Sequence, residues 1–191
     1  MRIVLARHGE TEWSASGRHT SYTDVELTEA GRKAAEALGA RLAGRRFALV
    51  LTSPLRRARD TCELAGYGAQ AQIDDDLVEW NYGEYEGLTT PQIRESRPGW
   101  SVWDCDTPGG ETCTQVGARA DRVLARAAEA DGDVALFAHG HFLRILGARW
   151  IGLEPTGGGS LGLNTAALGE LGFERERHVL WLWNDTSHLP A

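Results

Sequence analysis

Short apolar runs and stretches of helical periodicity alternate along the chain. The runs IVLA, FALVL and VALFA are apolar at nearly every position, which is typical of strands buried on both faces of a sheet. Three weaker runs predict further strands, two of them near the C-terminal end. Strands are thus predicted at residues 3–6, 47–51, 70–73, 134–138, 166–173 and 178–183.

Apolar residues at helical spacing follow each of the three strong runs. Thr28 is placed as the N-cap of the first helix, and Ser53 with Pro54 is placed to begin the second. Further helices are predicted over residues 116–127 and 142–150. Because strand and helix alternate three times, the pattern predicts a three-layer α/β/α domain with a mostly parallel sheet.

Residues 77–110 break this alternation. The segment is rich in Trp, Tyr, Gly and Pro and contains one short predicted helix at 91–96. We expect an insertion that forms a lid over a single domain spanning residues 1–191. The three glycines at 157–159 predict a flexible loop.

Composition and charge narrow the class of protein. The chain has 191 residues, 42% hydrophobic and 25% charged, as in an ordinary globular domain. Its net charge of -7 argues against a nucleic-acid or acidic-membrane partner. Cys62, Cys105 and Cys113 form no CxxC pair and suggest thiols in a reducing compartment. No apolar stretch reaches the roughly 20 residues of a membrane span, so we predict a cytoplasmic protein.

Cationic side chains stand where the three strong strands end. Arg7 and His8 follow the first strand, Arg57 follows the second and His139 the third. Ligands of such sheets bind beyond the carboxyl ends of the strands, so these groups should meet in one crevice. The N-terminus of the helix at Gly140 would add backbone N–H donors, which together predict a local phosphate site. The chain lacks the GxxxxGK[ST] loop of Walker-type nucleotide sites.

Five motifs follow one another along nearly the whole chain. They are RHGET at 7–11, SPLRRARDT at 53–61, LVEWNYGEYEG at 77–87, PGGET at 108–112 and AHGH at 138–141. In this order they resemble the signature of the histidine phosphatase superfamily, which includes the cofactor-dependent phosphoglycerate mutases.

This resemblance implies a phosphohistidine mechanism. It makes His8 the nucleophile, Arg7, Arg57 and His139 the stabilisers of the phosphoryl oxygens, and Glu79 the proton donor to the leaving group. Phosphoryl transfer depends mainly on positioning and on charge stabilisation, which clustered guanidinium and imidazole groups supply. The resemblance requires no metal and no cofactor.

The sequence also offers candidates for side chains that contact the substrate. The family commonly has Asn at the position of Ser14 and Gly at the position of Ser21, and the hydroxyls of Ser14 and Thr20 are candidate phosphate contacts. The aromatic residues between positions 80 and 103 are expected to line the entrance, because aromatic walls bind the carbon faces of sugars and organic phosphates. The candidates named are Trp80, Tyr82 and Trp103.

Three alternatives stay open. The chain is short for a mutase, so hydrolysis of small sugar or polyol phosphates, as in bacterial broad-specificity acid phosphatases and fungal sedoheptulose bisphosphatases, is favoured over phosphoglycerate mutation. A phosphate-binding module without turnover would not need Glu79. His139 and His141 form an HxH pair, but no third metal ligand is evident. The expected partner is a small phosphate ester, and a homodimer is left open.

Overall fold

A computed structural model describes residues 1–103 and 107–190. Its centre is a six-stranded sheet in the order β3-β2-β4-β1-β5-β6. The first four strands in this order run parallel, β5 pairs antiparallel with β1, and β6 pairs antiparallel with β5, so only β5 runs in the opposite direction. The strands are β1 (Ile3–Arg7), β2 (Leu49–Thr52), β3 (Ala71–Ile73), β4 (Val134–Ala138), β5 (Leu168–Glu174) and β6 (Arg177–Asp185).

Helices cover both faces of this sheet. Alternate residues of β1 face opposite sides, so Ile3 and Leu5 pack in the core with α5 and α6, whereas Val4 and Ala6 pack in the core with α2 and α3. The predicted three-layer α/β/α fold is therefore confirmed. The helices are α1 (Glu12–Ala15), α2 (Glu29–Arg41), α3 (Arg56–Leu64), α4 (Thr90–Ser96), α5 (Cys113–Ala128) and α6 (Gly140–Trp150).

Strand register brings the cationic segments to one edge of the sheet. Arg7 pairs with Ala138 at the ends of β1 and β4. The N–H of His8 then donates to the carbonyl of Ala138 at 3.0 Å, and the N–H of Ser53 donates to the carbonyl of Phe137 at 3.0 Å. The segments that follow β1, β2 and β4 thus begin side by side.

Ser53 is not the cap of a helix, contrary to the sequence prediction. Helix α3 begins at Arg56, and its N-cap is Leu55, which makes no side-chain cap bond. The hydroxyl of Ser53 lies instead 2.7 Å from Nε2 of His139. The same hydroxyl accepts the N–H of Leu55 at 3.3 Å, so it fixes the turn before α3 and contacts His139.

The predicted flexible loop at 157–159 is also wrong. These glycines belong to a short 3₁₀ helix, Pro155–Ser160. The carbonyl oxygens of Gly158 and Gly159 accept hydrogen bonds from Arg144, which fixes this segment against α6.

Much of the segment at residues 77–110 is packed into the core. It contains α4 and a 3₁₀ turn, Gly83–Tyr85. Leu77, Trp80 and Trp100 are each at most 2% exposed.

Cys105 lies outside the described residues, and burial raises the pKa of the Cys62 thiol to about 12. Across residues 1–103 and 107–190, no helix has the length and apolarity of a bilayer span.

Candidate active site

His8 is presented as a neutral imidazole with one available nitrogen. Its Nδ1 lies 2.7 Å from the carbonyl oxygen of Gly9. A carbonyl can only accept, so Nδ1 carries the proton and Nε2 keeps its lone pair. Burial, followed by the charges of Arg57 and Arg7, holds the pKa of His8 well below its ordinary value of 6.5. The ring is therefore uncharged at neutral pH.

Arg7 and Arg57 place two guanidinium groups close to His8. Arg7 Nη1 donates to the carbonyl of Leu163 at 2.6 Å. Arg57, which is 0% exposed, donates to three carbonyl oxygens of the loop at residues 20–23, at 2.9 to 3.2 Å. Within the described part of the chain neither forms an ion pair, so no carboxylate pairs directly with either charge.

The carboxylate of Glu86 shapes the loop that holds Arg57. Its oxygens accept the backbone N–H of Ser21, at 2.8 and 2.9 Å, and the N–H of Thr23 at 3.2 Å. These bonds turn the carbonyl groups of the loop towards Arg57. A carboxylate in this role organises the backbone without pairing directly with the guanidinium.

His139 stands beside His8 at the start of α6. Its ring centroid lies 5.2 Å from that of His8, and it is fully buried. Burial, and after it the positive charge of Arg57, holds the pKa of His139 well below 6.5. Nδ1 of His139, Nε of Arg7 and Nε of Arg57 are buried without a hydrogen-bond partner among the described residues. Orphaned polar groups of this kind are rare in protein interiors and point to a missing partner.

Glu79 is oriented by the first turn of α6. Its Oε1 accepts the N–H groups of Trp80 and Phe142, each at 2.9 Å, and its Oε2 accepts the N–H of His141 at 3.1 Å. Helix N-termini favour such acceptors because their first N–H groups lack partners within the helix. The carboxyl group is thus fixed in the wall of the cavity that also contains His8.

A buried ion pair braces the backbone around Glu79. Arg119 bonds both oxygens of Glu111, at 2.8 and 2.9 Å, and also donates to the carbonyl of Val78 at 2.9 Å. Glu111 in turn accepts the N–H of Asn81 at 2.9 Å. The PGGET motif contributes Glu111, so this motif supports the segment carrying Glu79.

Arg7, His8 and Glu79 border a cavity of about 350 Å³. Of the eleven residues predicted as catalytic or substrate-binding, eight line it, whereas Arg57, His139 and Trp80 are fully buried and do not. The eight lining residues are Arg7, His8, Ser14, Thr20, Glu79, Tyr82, Trp103 and Gly140.

Trp80 does not line the entrance, contrary to the prediction. It is 0% exposed, and its indole N–H donates to the carbonyl of Glu111 at 2.8 Å, so it belongs to the core. Ser14 does border the cavity, but its hydroxyl already closes a capping box with Thr11 at the start of α1. The hydroxyl of Thr20 donates to the carbonyl of Arg18 at 3.1 Å.

Several lining residues were missed in the sequence. Arg144 contacts the ring of Trp103, with its guanidinium carbon 4.5 Å from the ring centroid. The spacing of four between Gly140 and Arg144 on α6 was a signal for this placement, because such residues share one helix face. Arg18, Arg94, His19 and His141 also line the cavity.

Nearly the whole chain is similar to a known protein family. The family model described as histidine phosphatase superfamily (branch 1) matches residues 3–186. The chain is 45% identical to an acid phosphatase of Mycobacterium tuberculosis, over 98% of this chain and 94% of that protein. It is 35% identical to the sedoheptulose 1,7-bisphosphatase of Saccharomyces cerevisiae, over 80% of this chain and 68% of that protein.

A solved structure agrees over nearly the full length. The mycobacterial glucosyl-3-phosphoglycerate phosphatase in complex with VO3 superposes with a TM-score of 0.88 at 31% identity, covering 97% of this chain and 99% of that one.

Proposed function

The chain belongs to the histidine phosphatase superfamily, branch 1, and on that basis we propose that this phosphatase hydrolyses small sugar or polyol phosphates through a phosphohistidine on His8. The cations of the site make a metal ion unnecessary in this scheme. The observation that carries the proposal is the neutral His8 beside two guanidinium groups whose partners among the described residues are all carbonyl oxygens.

The first chemical step is an attack on phosphorus. The lone pair of His8 Nε2 forms a P–N bond while the P–O bond to the alcohol breaks. Arg7, Arg57 and His139 stabilise the charge that spreads over the phosphoryl oxygens. The low pKa of His8 favours this step, since a protonated imidazole could not attack.

Glu79 handles the proton in both steps. An alkoxide is a poor leaving group, so the carboxyl group donates its proton to the departing oxygen. Glu79, now a carboxylate, then accepts a proton from water as the water oxygen attacks phosphorus. The P–N bond breaks and orthophosphate leaves, which restores neutral His8 and protonated Glu79.

The cavity wall supports an anionic, partly hydrophobic substrate. Arg18, Arg94 and Arg144 add positive charge around the opening, and Trp100 and Trp103 add aromatic surface. The relatives named for acid, sedoheptulose bisphosphate and glucosyl-phosphoglycerate hydrolysis favour small phosphorylated metabolites as substrates. We further propose that residues 77–110 are an insertion that forms a lid over the active site of a single domain, which Tyr82, Trp100 and Trp103 support by lining the cavity.

Steady release of phosphate from p-nitrophenyl phosphate in excess EDTA tests the proposal. We expect His8→Ala to abolish both turnover and acid-labile labelling of the protein by substrate phosphate. His178→Ala is the matched control, because His178 is exposed and packs on Trp150. Turnover by the His8→Ala variant at the normal rate would reject the phosphohistidine.

Phosphate release and an assay of phosphoglycerate interconversion together distinguish hydrolysis from the two alternatives, a mutase and a binding module. A mutase would interconvert 3-phosphoglycerate and 2-phosphoglycerate in a reaction that depends on 2,3-bisphosphoglycerate. A binding module would hold phosphate esters but release none. Either result would replace hydrolysis as the function.

A further inference from the structure

His141 has a fixed place in the cavity wall. Aromatic rings surround it, with centroids 5.8 Å away for Tyr82, 5.1 Å for Trp103 and 6.4 Å for Trp80. Its Nδ1 lies 2.6 Å from the hydroxyl oxygen of Tyr82. The mechanism on His8 uses only the backbone N–H of His141, so the ring has no role in it.

Tyr82 determines which nitrogen of His141 carries the proton. The tyrosine is 2% exposed, and within the described residues its hydroxyl bonds to nothing except Nδ1 of His141. Burial holds the pKa of Tyr82 well above its ordinary value, so the hydroxyl keeps its hydrogen. Because no other described residue accepts this hydrogen, the hydroxyl donates to Nδ1, and the hydrogen of the neutral imidazole lies on Nε2.

His19 shows the opposite arrangement. Its Nδ1 lies 2.9 Å from the carbonyl oxygen of Leu88, which can only accept, so Nδ1 carries the hydrogen. Nε2 of His19 is then an acceptor. The ring is held edge-on to Tyr82 at 4.8 Å and to Trp100 at 5.3 Å.

The two rings form a pair in the same cavity as His8. Their centroids are 6.2 Å apart, and their planes differ by 15°. Neither Nε2 has a partner in residues 1–103 or 107–190, and neither is among the fully buried unpaired atoms. Both residues line the cavity, so these nitrogens are the ring atoms left to bond a ligand there. Burial is the main cause that lowers the pKa of both rings, which keeps them uncharged at neutral pH.

We propose that His19 and His141 bind neighbouring hydroxyl groups of the alcohol part of the substrate, His19 as acceptor and His141 as donor. This inference rests on the proposed hydrolysis and adds a basis for its substrate class. A hydroxyl group both donates and accepts, so a polyol satisfies one nitrogen of each kind. An alkyl chain would cover the same nitrogens without bonding them, and sites built for a hydroxyl reject such analogues strongly.

Ribitol 5-phosphate and n-pentyl phosphate form a matched pair of probes, since they differ only in hydroxyl groups. Binding is measured by calorimetry in the His8→Ala background, where no turnover interferes. We expect ribitol 5-phosphate to bind more tightly by about tenfold or more. His19→Leu and His141→Leu should each bring this ratio close to one, whereas His141→Gln, whose amide can still donate, should keep most of it.

Two further variants make the test specific. Tyr82→Phe keeps the ring but removes the hydroxyl that fixes the proton of His141, so it should also lower the ratio, even if a leucine variant fails to fold. His178→Leu removes a histidine outside the cavity and should leave the ratio unchanged.

The inference is overturned if the two esters bind equally, if the leucine variants weaken both esters to the same extent, or if His178→Leu has the same effect. Release of phosphate from p-nitrophenyl phosphate by the unmodified protein tests hydrolysis separately. Failure of that assay and failure of the binding ratio are therefore distinguishable.

Discussion

At the scale of single residues, the surroundings of Glu79 suit a side chain whose two oxygens both accept hydrogen bonds. Three backbone N–H groups, those of residues 80, 141 and 142, point at its two oxygens. An amide in its place would turn an NH2 group towards at least one of these donors or lose a bond. Glu79 therefore combines a fixed position with the ability to carry a proton, which Gln lacks.

We expect Glu79→Gln to lower kcat for an alkyl phosphate by about 10² to 10⁴, the usual contribution of a general acid. The loss for p-nitrophenyl phosphate should be far smaller, because its leaving group departs without a proton. Glu84→Gln, in the same segment but exposed, is the control. Equal losses for both esters would argue against the acid role.

The sequence indicated residues whose signal is local and missed those defined by partners. Arg7 and His8 follow a strongly apolar strand, so their place at the sheet edge could be predicted. The neighbour of His141, Tyr82, is 59 residues away in the chain, and no local pattern reveals that bond. For the same reason Trp80 was misplaced, since aromatic character alone does not distinguish a cavity wall from a core position.

At the scale of elements, the N-terminus of α2 packs directly on the loop after β1. A Cβ atom on Gly31 would lie 2.1 Å from the carbonyl oxygen of Glu10, and one on Gly9 would lie 2.3 Å from the carbonyl oxygen of Gly31. Only glycine permits this approach. The contact holds the backbone beside His8 against a rigid helix.

We expect Gly31→Ala to lower the free energy of unfolding by about 1–3 kcal/mol, the usual cost of overpacking, and to reduce kcat/KM. Alanine favours a helix over glycine by about 1 kcal/mol, so a net loss shows that the backbone contact dominates. Gly162→Ala is the control, because its Cβ would meet nothing within 4 Å. Chemical denaturation measures both variants, and a stabilised Gly31→Ala would contradict the packing argument.

Element existence was easier to predict than element ends. The strands are buried runs with a signal of their own, and all six lie near their predicted positions. The predicted beginning of α3 at Ser53 was wrong, since the helix begins at Arg56 and the Ser53 hydroxyl bonds the N–H of Leu55 and also contacts His139, 86 residues further along the chain. Whether a side chain caps a helix depends on its tertiary contacts, which a local sequence pattern does not contain.

At the scale of the whole molecule, several buried histidines make stability depend on pH. The pKa values of His8, His139 and His141 are held well below 6.5, chiefly by burial, and that of His19 is also lowered. Above pH 6.5 these groups are neutral in both the folded and the unfolded chain and cost nothing. Below pH 6.5 the unfolded chain takes up protons that the folded chain does not. The free energy of unfolding therefore decreases as the pH is lowered.

We expect the free energy of unfolding to fall below about pH 6.5 by up to about 1.4 kcal/mol per pH unit for each deeply buried histidine. Urea denaturation at pH values between about 7.5 and 5 measures this slope. His139→Gln should reduce the slope by the share of one group. A free energy that stays constant over this range would show that the rings titrate normally.

Because Arg7 and Arg57 bond carbonyl oxygens and no carboxylate among the described residues, they also affect the release of the orthophosphate product. Free orthophosphate presents the same kind of oxygen atoms to these guanidinium groups as the ester does. Product and substrate therefore compete for one site. We expect competitive product inhibition, measurable by adding orthophosphate to initial-rate assays, and weaker inhibition by neutral alcohols. Hydrolysis inside a cell would then slow wherever inorganic phosphate accumulates, with no separate regulatory site.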